Sequence, residues 1–338
     1  MRRHNRATLW GALTVCAAAA CLSLPRPQPA LAQQQSDQHP AQPPAPAKPP
    51  APTQKEPSEA IFTSDTNLVL CPVSVLDKNG KLVTNLPQSA FKVYENGVEQ
   101  PLKLFRHEDV PVSMGIIIDN SGSMRDKRAK VAAASLALVK ASNPEDEVFI
   151  VNFNDVAYLD QQFTSNVKKL EEALDRIDSR GGTAMRDAIS MSIDYLKDHA
   201  KREKRVLLVV TDGNDNSSEI TLEQLVRKAQ QSDVLIYAIG LLSDEEPRDA
   251  RQARKALKLL TSNSGGLEYY PRDVAEIDKI TPQIAHEIRS QYMLGYLPLN
   301  PAMDGTFRKI SVVLQGYKAT VRTRNGYYAG SASKTGSK

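Results

Sequence analysis

Four apolar runs in the middle of the chain, Val112 to Asp119, Glu147 to Phe153, Arg205 to Asp212 and Val234 to Gly240, have strand length and little alternation. Successive apolar residues mean that both strand faces are buried, as in a parallel sheet covered by helices. Stretches of helical spacing lie between and after them, at Lys127 to Lys140, Val167 to Ile177, Met185 to Leu196, Leu222 to Gln231, Pro247 to Leu260 and Val274 to Arg289. Ala157 to Phe163 predicts an antiparallel edge strand. Alternation of this kind predicts an α/β fold over residues 111–290: doubly wound, Rossmann-like, its sheet mostly parallel with one antiparallel edge.

The flanks follow a different period. Asn67 to Leu76, Phe91 to Tyr94 and Gln100 to His107 are short strand-like runs with turns at Asp77-Lys-Asn-Gly80 and Glu95-Asn-Gly97. Gln291 to Leu297, Phe307 to Leu314 and Ala319 to Arg324 repeat the pattern near the other end. Three strands make a poor domain alone. Residues 60–110 and 291–328 are therefore expected to pair into one small β-sandwich, with the α/β domain inserted between them.

At the amino terminus, arginines precede an apolar stretch from Ala7 to Leu24, and Ala30-Leu-Ala32 offers small residues for cleavage, so residues 1–32 are expected to be a signal peptide. Cys21 as a lipidation site and an uncleaved anchor are the alternatives, and they are the only membrane attachments foreseen. Residues 33–59, dominated by Gln, Pro, Ala and Lys, are expected to be a disordered linker, and 329–338 a disordered tail. The protein is thus expected to be exported: periplasmic, secreted or attached to the envelope of a bacterium. Once the leader is removed, Cys71 is the one remaining thiol, which rules out an intramolecular disulfide and suits a small buried hydrophobe.

Candidate chemistry sits where the apolar runs stop. Asp119-Asn-Ser121-Gly-Ser123 closes the first strand, Asp212-Gly213 closes the third, and Gly181-Gly182-Thr183 lies between them. The carboxyl ends of neighbouring parallel strands lie side by side in an open sheet, and ligands bind just outside them. Two carboxylates and three hydroxyls, with no His or Cys, form a donor set for a hard cation: Mg²⁺ first, Mn²⁺ or Ca²⁺ next. Asp187, four residues beyond Thr183 in a helical stretch, suits an outer acceptor or a helix-terminus charge.

The order Asp-x-Ser-x-Ser, then a distant Thr, then a distant Asp resembles the metal-ion-dependent adhesion site of von Willebrand factor type A domains. The resemblance implies that Ser121, Ser123 and Thr183 bind the ion directly, that Asp119 and Asp212 bind it partly through water, and that a partner's Asp or Glu fills the open position. It also marks the stretch Val274 to Arg289 as the element to watch for affinity switching. Over residues 65–330, the run from Val75 through Asp77, Gly80, Val83 and Leu86, then Phe91-x-Val93-x-Glu95-x-Gly97, is similar to the "VWFA-related" proteins of acidobacteria. Tyr292-x-Leu-Gly-Tyr296-x-Pro298 and Arg324-x-Gly326-Tyr327 match the tail of that family.

Charge and motifs exclude other classes. The formal charge of +4 comes from Arg2, Arg3, Arg6 and Arg26 in a leader without acids, so the remainder balances its 39 acidic residues. No basic patch with interleaved aromatics points to nucleic acid. In Pro247 to Lys258 the positive charges flank an alanine and leucine stripe, the pattern of a solvated helix face. A haloacid-dehalogenase-type phosphatase needs a second Asp where Ser121 stands. No His sits in a hydrolase motif, and no phosphate-binding Gly-x-x-x-x-Gly-Lys-Ser/Thr occurs, so neither catalysis nor ATP binding is expected. His107 approaches the site only if its β-flank folds over it.

The expectation is an exported, metal-dependent protein-binding module of adhesion type. The alternative is an envelope scaffold that binds partners through its sandwich edge or through Tyr327-Tyr328, with a purely structural metal. Arg125 to Arg128, Asn154-Asp155, Arg186 and Asn214 to Glu219 are the candidate rim contacts, each weighed against an ordinary solvated loop.

Overall fold

The structure, a computed structural model, describes residues 68–107, 109–175 and 179–330, with the side chain of residue 175 left aside. The expected leader, linker and most of the expected tail lie outside the described residues, as does the end of the helix expected to reach Ile177. Everything described belongs to one compact unit that runs from Thr63 onward.

Chain order begins with four strands: β1 (Val69–Leu76), β2 (Phe91–Glu95), β3 (Val98–Gln100) and β4 (Leu102–Arg106). The central segment follows as β5 (Val112–Asp119), α1 (Arg128–Ala141), β6 (Glu147–Phe153), β7 (Ala157–Thr164), α2 (Val167–Asp175), α3 (Met185–His199) and β8 (Lys204–Thr211). It continues through α4 (Leu222–Gln231), β9 (Val234–Gly240), α5 (Pro247–Ser264), β10 (Glu268–Tyr269) and α6 (Ile277–Arg289). Four strands close the chain: β11 (Tyr292–Tyr296), β12 (Phe307–Leu314), β13 (Thr320–Arg322) and β14 (Gly326–Tyr328).

The central sheet has the order β10-β9-β8-β5-β6-β7, parallel throughout except for β7, which pairs antiparallel with β6. The expected α/β class with its antiparallel edge is the one observed. In β5, Met114, Ile116 and Ile118 join Val131 and Leu138 of α1, Leu170 of α2 and Ile284 of α6 in one core. Ile117 points the other way, into a core with Ile189 of α3, Leu225 of α4 and Leu257 of α5. That two-sided burial is the reason the run shows no alternation. Gly115 faces Phe149 so closely that a Cβ there would overlap the ring, so the central strand needs glycine at this point.

The flanking strands form two four-stranded antiparallel sheets, β13-β1-β11-β4 and β14-β12-β2-β3, around a third core that includes Cys71, Val73, Phe91, Val93, Tyr292, Leu294 and Tyr296. Each sheet mixes strands from both sides of the α/β segment: Cys71 opposes Leu294, and Val93 opposes Val312. Cys71 is fully buried, and burial pushes its thiol up to about 12, so it behaves as an inert core residue. Among the described residues no helix is long and apolar enough to cross a membrane.

Candidate metal centre

Strands β5 and β8 are neighbours, and both deliver their last residues to the same edge of the sheet. Asp119 ends β5 and Asp212 directly follows β8, and both side chains are fully buried. One oxygen of Asp119 accepts the Ser121 backbone N–H at 2.8 Å, and the other accepts the Thr211 hydroxyl at 2.6 Å. The Ser121 and Ser123 hydroxyls lie 3.1 Å apart, and Ser123 Oγ donates to Asp212 Oδ1 at 2.8 Å. Thr183 Oγ1 comes within 3.9 Å of where a Cβ on Gly213 would stand, so the third loop abuts the second. The structure thus brings all five predicted residues to one place. Ser121 and Thr183 are buried, whereas Ser123 is exposed, so the cluster opens to solvent on the Ser123 side.

Backbone hydrogen bonds hold the loops together. Gly122 N–H donates to Gly181 O at 3.2 Å and Arg180 N–H to Asn120 O at 2.9 Å, joining the first loop to the second. Thr183 N–H donates to Asn216 Oδ1 at 2.9 Å, and Asn216 and Ser217 return N–H bonds to Thr183 O at 3.1 and 3.2 Å. Gly181 has a φ of +77°, a left-handed turn that favours glycine, and Asp155 accepts the N–H of Gly182 at 2.7 Å.

Burial pushes the Asp119 carboxyl up to about 6 against the hydrogen bonds from Ser121 and Thr211, and the negative charge of Asp212 raises it further. Two buried carboxylates side by side are costly unless a cation compensates them. One does so in part: Lys127 Nζ lies 2.9 Å from Asp212 Oδ2 and 3.3 Å from Asp244 Oδ2. Burial alone would lower the pKa of Lys127, but the bond and charge of Asp212, followed by those of Asp244, hold it above the usual lysine value. Glu245 reaches the same spot, its Oε1 3.6 Å from the place a Gly213 Cβ would occupy, and burial and the charge of Asp212 raise its pKa.

The donor chemistry fits a hard divalent ion, being all oxygen, net negative and open on one side. Among the described residues no group of three or more His, Cys, Asp or Glu forms an alternative metal cluster.

Other predicted residues fall elsewhere. Asp187 accepts the N–H groups of Glu219 at 2.9 Å and Ile220 at 3.1 Å, which fixes the loop after β8; its hydrogen bonds go to none of the five. Several expected rim contacts tie loops instead of projecting outward: Arg186 pairs with Asp215, and Arg128 is buried and donates to Leu174 O at 3.0 Å. His107 packs against Tyr292 in the sandwich, with ring centroids 4.4 Å apart and the rings tilted by 32°. Sequence reading missed Thr211, Asp244 and Glu245, and it weighed Lys127 only as part of the Arg125 to Arg128 rim, not as a partner of Asp212. Only Thr211, adjacent to Asp212, carried a signal, since the others are recruited by loop packing.

An uncharacterised protein of Borreliella burgdorferi is 36% identical over 104 residues, 30% of this chain and 30% of its own. The ATP-dependent DNA helicase II subunit 2 of Aspergillus sojae is 26% identical over 191 residues, 53% of this chain and 26% of its own. The chain therefore spans less than a third of the length of either relative. Among solved structures, proximal thread matrix protein 1 from the mussel byssus, with a zinc-occupied MIDAS motif, is 16% identical, covers 57% of this chain and 49% of its own, and has a TM-score of 0.44. Residues 114–214, from the middle of β5 to the loop beyond Asp212, match the family model of the von Willebrand factor type A domain.

Proposed function

We propose that Asp119, Ser121, Ser123, Thr183 and Asp212 hold a divalent cation, Mg²⁺ in the first instance, and that a protein partner's Asp or Glu carboxylate completes its coordination. The observation that supports this is the convergence of two fully buried carboxylates and three hydroxyls at the ends of β5 and β8, open on the Ser123 side. The ion supplies charge and a directional bond to an incoming carboxylate. The protein fixes the hydroxyls, buries the Asp119 and Asp212 carboxylates, and leaves the rim to select the partner. The module works by binding, not catalysis, on the outer side of the bacterial membrane.

A second reading draws on the sandwich, where Val98 on edge strand β3 is 56% exposed, an edge suited to strand addition. Capture of a partner from envelope and secreted fractions, run with Mg²⁺, with EDTA and with Ser123→Ala, separates the two. Capture that requires both Mg²⁺ and Ser123 supports the cation reading. Capture that survives EDTA and the substitution overturns it in favour of the sandwich.

A further inference from the structure

Lys127 is the one cationic side chain in contact with the two site carboxylates among the described residues, since Asp119 is held only by the neutral donors Ser121 and Thr211. Its ammonium lies between two carboxylates of opposite character. Asp212 has no exposed side-chain surface, whereas the side chain of Asp244 is 71% exposed and stands 3.3 Å from Nζ on the outer side. Asp212 already gives one oxygen to Ser123, and the oxygen Lys127 holds is the remaining one.

We propose that Lys127 is the built-in counter-ion of this site: it neutralises Asp212 when no divalent cation is bound, and moves outward onto Asp244 when one is. The inference rests on the divalent-cation reading above and adds to it the element that sets affinity. A lysine ammonium is a compact charge on a flexible four-carbon stem, so a shift of a few ångströms between two carboxylates needs no backbone motion. A divalent ion beside Asp212 repels an ammonium at the same carboxylate, and Asp244 offers the ammonium a hydrated second seat. An ordinary exposed pair would have no such consequence, but here one partner is fully buried and the Lys127 side chain is only 15% exposed. The site thus has two charge-balanced states, and the energy of moving Lys127 is subtracted from ion affinity.

The test is calorimetric titration of the full chain with Mg²⁺ and with Mn²⁺, alongside thermal melting in EDTA. Lys127→Met is expected to bind the ion about tenfold more tightly than wild type and to melt at a lower temperature in EDTA, while Lys127→Arg keeps the weaker affinity. Asp244→Asn is expected to weaken ion binding severalfold, and that loss should vanish in the Lys127→Met background. Unchanged affinity in Lys127→Met, with Asp244→Asn acting equally in both backgrounds, overturns the proposal while leaving the cation site standing. No ion binding by wild type at all removes the cation reading instead; the EDTA melts then decide whether Lys127 neutralises Asp212.

Discussion

The molecule buries carboxylates in two regions and treats them in opposite ways. In the sandwich, Glu95 is 4% exposed and every oxygen is satisfied from within: Arg308 donates to Oε1 at 3.1 Å, and Tyr296 and Tyr327 donate to Oε2 at 2.8 and 2.9 Å. Arg308, itself buried, also donates to the carbonyls of Asn300 and Ala302. At the end of the central sheet, Asp119 and Asp212 are as deeply buried, yet among the described residues only one ammonium faces them, and it is shared with Asp244. A charge balanced internally serves the fold, because removing either partner strands the other in a dry interior. A charge left partly unbalanced at a solvent-facing loop cluster is a binding resource, since an incoming cation supplies what the protein withholds.

That contrast is easiest to break in the sandwich. Glu95→Ala leaves the buried Arg308 with only the exposed Asp304, 3.8 Å away, as counter-charge and is expected to cost about 3–5 kcal/mol of folding stability, measured by urea unfolding. A loss below about 1 kcal/mol would mean that Asp304 and the Asn300 and Ala302 carbonyls suffice.

Asp119→Asn is the opposite case. It removes a buried charge while keeping size and one acceptor, so metal-free stability should stay within about 1 kcal/mol of wild type, while calorimetry shows ion affinity reduced by about two orders of magnitude. Destabilisation as large as that of Glu95→Ala would place Asp119 with the structural charges.

Lys204 sharpens the comparison through pH. It is 4% exposed on β8, donates to the carbonyl of Ile288 at the end of α6, and burial pulls its ammonium down to about 8, opposed by the charges of Glu287, Asp109 and Asp146. Between pH 8 and the ordinary lysine value of 10.5 the unfolded chain binds more protons than the folded one, so this group raises stability as pH increases through that window. The slope approaches about 1.4 kcal/mol per pH unit, and Lys204→Met should remove it. A wild-type-minus-variant difference that stays flat from pH 8 to pH 10 would show that the ammonium stays charged in the fold.

The smallest effect is expected at the sandwich edge. Val98→Lys on β3 changes an exposed side chain, so stability should move by no more than about 0.5 kcal/mol and Mg²⁺-dependent capture should be unaffected. Lost capture would shift the functional reading to that edge.

Legibility along the chain followed residue environment. The eight-residue strands β5 and β8 were readable because double-sided burial leaves an unbroken apolar run, and their final carboxylates stood out against it. Strands β3, β10 and β14, two or three residues each, carried no usable period; they exist because a longer neighbour pairs with them. The interleaving of first and last strands was foreseen from the lack of helices in both flanks, but the register of Cys71 on Leu294 was not. Arg128 and Arg186 were weighed as rim contacts because loop charge suggests exposure, whereas a carbonyl of α2 and the carboxylate of Asp215 claim them.

The sequence by itself determined the α/β class, the two-part sandwich and the identity of the five candidate oxygen donors, since these depend on local period and on residues at strand ends. Only the tertiary structure decided which charges those donors would face. Lys127 meets Asp212 from 85 positions away, and Asp244 meets Lys127 across the same crevice. Such pairings arise from how loops pack at the edge of a parallel sheet, where neighbours in space come from distant crossovers and no local pattern records them.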